Sequence, residues 1–252
     1  MQTKKFQKPA YPLLKNAPIV EALLDIQVQL PKEKDLKMLH TLFEEVKDKY
    51  PLEKKRFTFS GTIEFKAQEE QAKSSVSNTQ VDGYLYYSED KSTVFQARLN
   101  GFTFNKHKPY QSWNALKKEA KQLWTLYMKV VEPVTINRIA LRYVNKIPLK
   151  IPFTPSNYFK TLPYLANGLD YKMNNLFSQI SIMNHKINAR ANITEAVETT
   201  GIDTALFLLD IDVYQQGDFK ESEIWKNFEN LRDFKNEIFF KSITERTLKL
   251  LK

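Results

Sequence analysis

The chain has 252 residues, 42% of them apolar and 27% charged, with no cysteine and six glycines. That size and apolar content support one large core or two small ones, and the missing thiols exclude disulfides, thiolate metal sites and a cysteine nucleophile. The formal charge of +9 is concentrated: residues 98–150 hold eleven Lys or Arg against Glu119 and Glu132, and the rest of the chain is balanced.

The first 18 residues carry Pro9, Pro12 and Pro18 and read as an extended arm, with no apolar run of signal-peptide length behind the lysines. From Ile19 to Leu30, Val20, Ala22, Leu24, Ile26 and Val28 alternate with polar neighbours, a strand pattern closed by Pro31. Residues 33–49 change to helical spacing through Leu36, Leu39, Leu42, Phe43 and Val46, and Pro51 ends them. Strands are expected over Arg56–Ala67, Asp82–Ser88 and Thr93–Leu99, and Asn100-Gly101 then offers a tight turn into Phe102–Asn105. Ser112 is placed to N-cap a helix running to about Val131. Its apolar stripe is Trp113, Leu116, Ala120, Leu123, Trp124 and Tyr127, with Lys117, Lys118 and Lys121 off the stripe.

The second half repeats this order. Ile136–Ile147 is a strand, the Pro-rich 148–163 stretch has room for a short helical piece, and Leu176–Asn184, Lys186–Ala196 and Thr204–Tyr214 are strands. Ser222 to about Leu251 is helical, with Ile224, Trp225, Phe228, Leu231, Ile238 and Phe239 on its apolar side. The expectation is an α+β fold, a mostly antiparallel sheet with flanking helices, built from two similar β-α-β-β-β-α halves. The halves fall at 19–132 and 133–252, behind the arm at 1–18, and pack as one compact unit. Regular strand–helix alternation, which a doubly wound nucleotide fold needs, is missing.

Alternation along 136–148 puts Ile139, Leu141, Tyr143 and Ile147 on one face and Arg138, Arg142 and Lys146 on the other. Neighbouring cations in that row stand roughly 13–14 Å apart, a spacing suited to successive anionic groups on an extended ligand. The competing reading is a strand with one solvated face, or Arg138 and Arg142 paired with acids on neighbouring strands. With Arg98 on the sheet and Lys106, Lys108 and Tyr110 in the loop before the helix, these residues form the candidate anion site. Lys117 and Lys121 stand on its rim. Tyr110 or Trp113 has the ring to stack on a base, although Trp113, on the apolar stripe, fits a packed corner better.

Asp210 and Asp212 share a strand face and suggest an alternative, Mg²⁺ held with substrate phosphates. Thr62-Ile63-Glu64-Phe65-Lys66 resembles a fragment of the charged rows in triphosphate tunnel metalloenzymes, whose repeated Glu-x-Glu-x-Lys pattern is absent here. His40, His107 and His185 stand in no metal-ligand spacing, and no Walker loop, G-x-S-x-G or G-x-G-x-x-G is present.

Three strings, Asn16-Ala17-Pro18-Ile19-Val20-Glu21-Ala22-Leu23, Gly101-Phe102-Thr103-Phe104 with Tyr110 and Trp113, and Arg138-Ile139-Ala140-Leu141-Arg142-Tyr143-Val144-Asn145, together resemble a sporadically distributed family of uncharacterised bacterial proteins of similar length. The Phe-rich ending from Phe228 through Thr244 is similar too. The resemblance implies a single unit and an accessory role, such as a bacterial defence or toxin–antitoxin locus, and supplies no catalytic residues. The expected function is a cytoplasmic, non-enzymatic binding module without a cofactor, engaging nucleic acid or an acidic protein and no membrane. The alternatives are a metal-dependent phosphate-ester or nucleotide enzyme using Asp210 and Asp212, and a structural interaction protein or antitoxin.

Overall fold

A computed structural model of the chain describes residues 11–64, 73–163, 175–199 and 203–252. In the first half, strand β1 (Ile19–Gln29) leads to helices α1 (Leu36–His40) and α2 (Leu42–Val46). Strands β2 (Leu52–Glu64), β3 (Lys73–Tyr87), β4 (Thr93–Arg98) and β5 (Gly101–His107) follow, then helix α3 (Trp113–Val131). The second half has β6 (Thr135–Lys150), a 3-10 turn at Pro155–Asn157, β7 (Phe177–Asn184), β8 (Ala189–Thr199), β9 (Thr204–Phe219), α4 (Glu221–Ser242) and α5 (Glu245–Leu251). The nine strands form one antiparallel sheet in the order β2-β3-β4-β5-β1-β6-β9-β8-β7. The α+β class is therefore as expected. In both halves the opening strand lies beside the last strand of its own half, and the strand after the connection lies at a sheet edge.

Several boundaries differ from those expected, each for a local reason. The helix at 33–49 divides at Thr41, whose N–H bonds Met38 O at 3.2 Å and whose hydroxyl bonds the same carbonyl at 2.7 Å, tightening that turn. β6 continues through Pro148 to Lys150. Its bond to the β1 side at Lys146 N–H, to Pro18 O (2.9 Å), precedes the proline, so the missing N–H removes no ladder bond there. Residues 186–188 belong to a turn, closed by Asn188 in the left-handed conformation (φ 49°), and β8 begins only at Ala189. The long C-terminal helix is interrupted at Thr244, which N-caps α5 by accepting from Thr247 N–H. Residues 65–67 of the strand expected to begin at Arg56 lie outside the described residues.

Contacts divide the chain into two compact units. One comprises Glu21–Ala140 and Gln215–Ile224; the other comprises the residues up to Val20, Leu141–Tyr214 and Trp225–Lys252. In the first unit Ala22, Leu24 and Ile26 of β1, Phe95 and Ala97 of β4, and Phe102 and Phe104 of β5 are buried on one sheet face. The whole expected stripe of α3 is buried as well. An aromatic chain, Tyr86–Phe95–Phe102–Trp124, links strands to helix at centroid spacings of 5.4 to 5.6 Å. The alternate residues, Asp25, Gln96, Arg98, Thr103 and Asn105, therefore point to the opposite face.

In the second unit β6 and β9 bury Leu141, Tyr143, Ile147, Phe207, Leu209, Ile211 and Val213, and α4 buries Phe228, Leu231, Phe234, Ile238 and Phe239. Trp225 is only half-buried, one position off the stripe led by Ile224. The described part of the arm packs along the C-terminal helices: Tyr11 stacks on Phe240 at 4.7 Å, and Asn16 N–H donates to Leu251 O at 3.0 Å.

Candidate anion-binding site

The strand cations stand where alternation placed them, and each meets a carboxylate. Within the first unit, Arg98 Nη2 donates to Asp25 Oδ1 at 2.5 Å, Arg138 Nη1 donates to Asp25 Oδ2 at 3.3 Å, and the Thr103 hydroxyl adds a 2.7 Å bond to Oδ1. Asp25 is 7% exposed and the Arg98 side chain 11%. One carboxylate on β1 thus collects donors from β4, β5 and β6. The Tyr127 hydroxyl of α3 anchors the Arg98 carbonyl at 2.8 Å. Gly101 is required beside this network, because a Cβ there would lie 2.4 Å from Ile26 O and 2.8 Å from Arg98 Nη2.

Within the second unit, Arg142 grips Asp210 in bidentate fashion, Nε to Oδ1 at 2.9 Å and Nη2 to Oδ2 at 2.5 Å. Lys146 Nζ lies 3.2 Å from Glu198 Oε2. Arg138 and Arg142 are thus paired with acids on neighbouring strands, one form of the competing reading, and Lys146 is paired as well. Asn145, buried on the other side of β6, donates to Leu209 O at 2.9 Å and so serves the sheet. The bidentate grip also occupies one of the two carboxylates the metal reading requires. Among the described residues no group of three or more His, Asp or Glu is placed to hold a metal ion. Lys66 and the side chain of Glu64 lie outside the described residues.

The residues leading into α3 form a separate feature of the first unit, and Lys106, expected in the loop, lies on β5 opposite Ala22 and Thr93. Lys106 Nζ donates to Ser92 Oγ at 2.8 Å, and Lys106, Tyr110, Ser112, Lys49, Asp90 and Glu119 line a cavity of about 360 Å³ at the start of α3. Its charges are balanced. Lys49 and the Tyr50 hydroxyl both bind Glu119. Asp90 accepts from the Ser88 hydroxyl and then from Ser92 N–H, which together hold its carboxyl down at about 2. Trp113 is buried, with Lys117 Nζ 5.8 Å from its ring, so it packs the corner and offers no stacking surface.

Exposed positive charge without an acidic partner remains at Lys108, a predicted site residue, and along α3, where the sequence reading placed Lys121 on the rim of the site and left Lys118 and Lys129 out of it. The exposed positions of α3 are Asn114, Lys118, Lys121, Gln122, Thr125 and Lys129, and Lys108 is exposed in the loop before it. Among the described residues no carboxylate pairs with Lys108, Lys118, Lys121 or Lys129. Glu119 faces Lys49, and Glu132, past the helix end, pairs with Lys34 at 3.0 Å. The sequence offered no clean signal, because Glu119 also lies off the apolar stripe and only the fold turns it towards Lys49.

Two buried ionisable groups of the second unit titrate near neutrality. Lys235 on α4 has its Nζ 3.9 Å above the Tyr143 ring, and burial, then the charge of Arg232, lowers its ammonium to about 7. Glu195 on β8 is 3% exposed, and burial raises its carboxyl to about 7 against smaller opposing effects from the Thr161 and Ser178 hydroxyls. A raised folded-state value means that Glu195 favours folding fully below its unfolded value near 4.5 and loses that contribution as pH rises through 7. Glu195→Gln is therefore expected to raise stability at pH 8 by on the order of 2 kcal/mol and to change little at pH 4, read by urea unfolding at both values.

No helix of the described residues is long and apolar enough to cross a membrane. Comparison with known protein families and with curated proteins gives no match to this chain.

Proposed function

We propose that this protein is a non-enzymatic binding module that holds the phosphate backbone of a nucleic acid against the exposed face of α3 and the loop before it. One observation carries the reading: among the described residues Lys108, Lys118, Lys121 and Lys129 are exposed without carboxylate partners, whereas Arg138, Arg142 and Lys146 of β6 are engaged. The other outward residues of α3, Asn114, Gln122 and Thr125, are neutral hydrogen-bonding groups, and no apolar side chain interrupts them. A stable protein interface needs aromatic or aliphatic anchors at its centre, which this face lacks; phosphate contact needs only donors and charge. With Trp113 buried, Tyr110 half-buried in the cavity lining and no exposed ring or arginine among the described residues of the face, binding is independent of sequence.

The test is a fluorescence-anisotropy titration against two DNA duplexes of unrelated sequence and against poly-glutamate. Similar affinities are expected for the two duplexes. For three or four neutralised phosphates, affinity is expected to fall roughly 40- to 150-fold between about 50 and 200 mM salt. Stronger binding of poly-glutamate would transfer the face to an acidic protein partner, and absence of duplex binding at low salt would overturn the proposal.

A further inference from the structure

The strand β7 closes one edge of the sheet, paired on one side with β8 from Phe177↔Ala196 to Asn184↔Ala189. The bond from Val197 N–H to Leu176 O (3.0 Å) sets its phase. Even-numbered residues direct their backbone groups to β8, and Phe177, Gln179, Ser181 and Met183 direct theirs outward. Among the described residues nothing pairs with that outer edge. Exposed edges ordinarily carry a lysine, a proline or a bulge that prevents further pairing. Leu176–Asn184 contains no charged residue, proline or glycine, in a chain that is 27% charged. Phe177 is 74% exposed, and Ile180, Ile182 and Met183 are exposed beside it.

We propose that β7 pairs with β7 of a second copy of this chain, antiparallel, about a two-fold axis through Ile180. The sequence is self-complementary in that register. Phe177 and Met183 lie three positions either side of Ile180, so each meets the other on one sheet face, twice per dimer. Ile180 meets itself on the opposite face, and Ile182 meets Ser178. The backbone agrees: the outward-directed residues pair 177 with 183 and 179 with 181, and Ile180 forms the non-hydrogen-bonded pair on the axis. Charge favours it as well. Like charge opposes association of a chain at +9, but the joining strand is neutral, and antiparallel pairing sends the two Lys186 to opposite ends of the seam. A single strand seam buries less than a standard interface, so the dimer is weak, in the micromolar range.

Because the chain has no cysteine, single thiols report the register cleanly. Cβ atoms of an axial pair lie about 4.5–5.5 Å apart. With oxidised glutathione as electron acceptor, Ile180→Cys is expected to form an intermolecular disulfide, whereas Ser178→Cys, facing Ile182, is expected to form none. Sedimentation equilibrium is expected to show a reversible dimer for the wild type and a monomer for Ile180→Lys. A wild-type monomer at the highest soluble concentration would overturn the proposal. So would a dimer that survives Ile180→Lys, equal crosslinking at both cysteines, or a different protein occupying β7 in place of the second copy.

Discussion

Replacing Asp25 with Ala is expected to lower the free energy of unfolding by about 3–5 kcal/mol, the largest loss from any single charged side chain discussed above. Asp25 joins Arg98 and Arg138 to the sheet and also accepts from Thr103. The cost follows from asymmetry. Truncating the carboxylate leaves two guanidinium groups and a hydroxyl in a partly desolvated place with fewer acceptors, and each forfeits hydrogen bonds it cannot recover from water. Asp25→Asn keeps an acceptor for Thr103 while removing the charge, and is expected to lose about half as much. Lys146→Ala breaks only an exposed pair with Glu198 and is expected to cost less than about 0.5 kcal/mol. Urea unfolding midpoints at constant m-value would rank the three. Equal losses for Asp25→Ala and Lys146→Ala would show that the network is no more than surface pairing.

Lys235→Met is expected to stabilise the protein at pH 7 by about 2–4 kcal/mol, with the gain fading towards pH 10. The lysine is 9% exposed, faces an aromatic ring and stands near the like charge of Arg232. Its folded-state value, lowered to about 7, lies well below that of the unfolded chain, near 10.5. Between those two values the unfolded chain holds a proton that the folded chain releases, so stability rises with pH. Below the lower value both states are protonated, and burying the ammonium imposes its full cost. The Tyr143 ring offsets part of that cost, which is why the expected gain is less than the displacement alone implies. Methionine matches the length of the lysine stem without the charge. A gain of the same size at pH 7 and pH 10 would point to packing, and would contradict the electrostatic account.

The parts of the fold legible in sequence are those set by short-range period. The stripe of α3, the alternation of β1 and the two faces of β6 all follow from residues within a few positions of one another. Interruptions were harder to see. Thr41 and Thr244 divide helices because their side chains bond the backbone, at positions where the apolar pattern continues. The charge partners were least accessible. Alternation shows that Arg138 and Arg142 leave the apolar face, but not what stands opposite. Asp25 is 113 positions from Arg138, and Asp210 is 68 from Arg142, and only strand order and register bring them together. The lysines of α3 presented the reverse case. They read as the solvated side of an amphipathic helix, and the feature that distinguishes them, the lack of an acid on the exposed face, depends on Glu119 being turned towards Lys49.

The proposed working surface is the helix face and not the strand row, and one comparison tests that choice. The measurement is the dependence of duplex affinity on salt concentration for the wild type, for Lys118→Gln/Lys121→Gln/Lys129→Gln, and for Lys146→Gln. Each phosphate contact contributes about 0.9 to the logarithmic slope, so the triple variant is expected to lose roughly 2.7 of it, while Lys146→Gln leaves it unchanged. An unchanged slope in the triple variant, or a loss confined to Lys146→Gln, would contradict the account and return the anion site to β6.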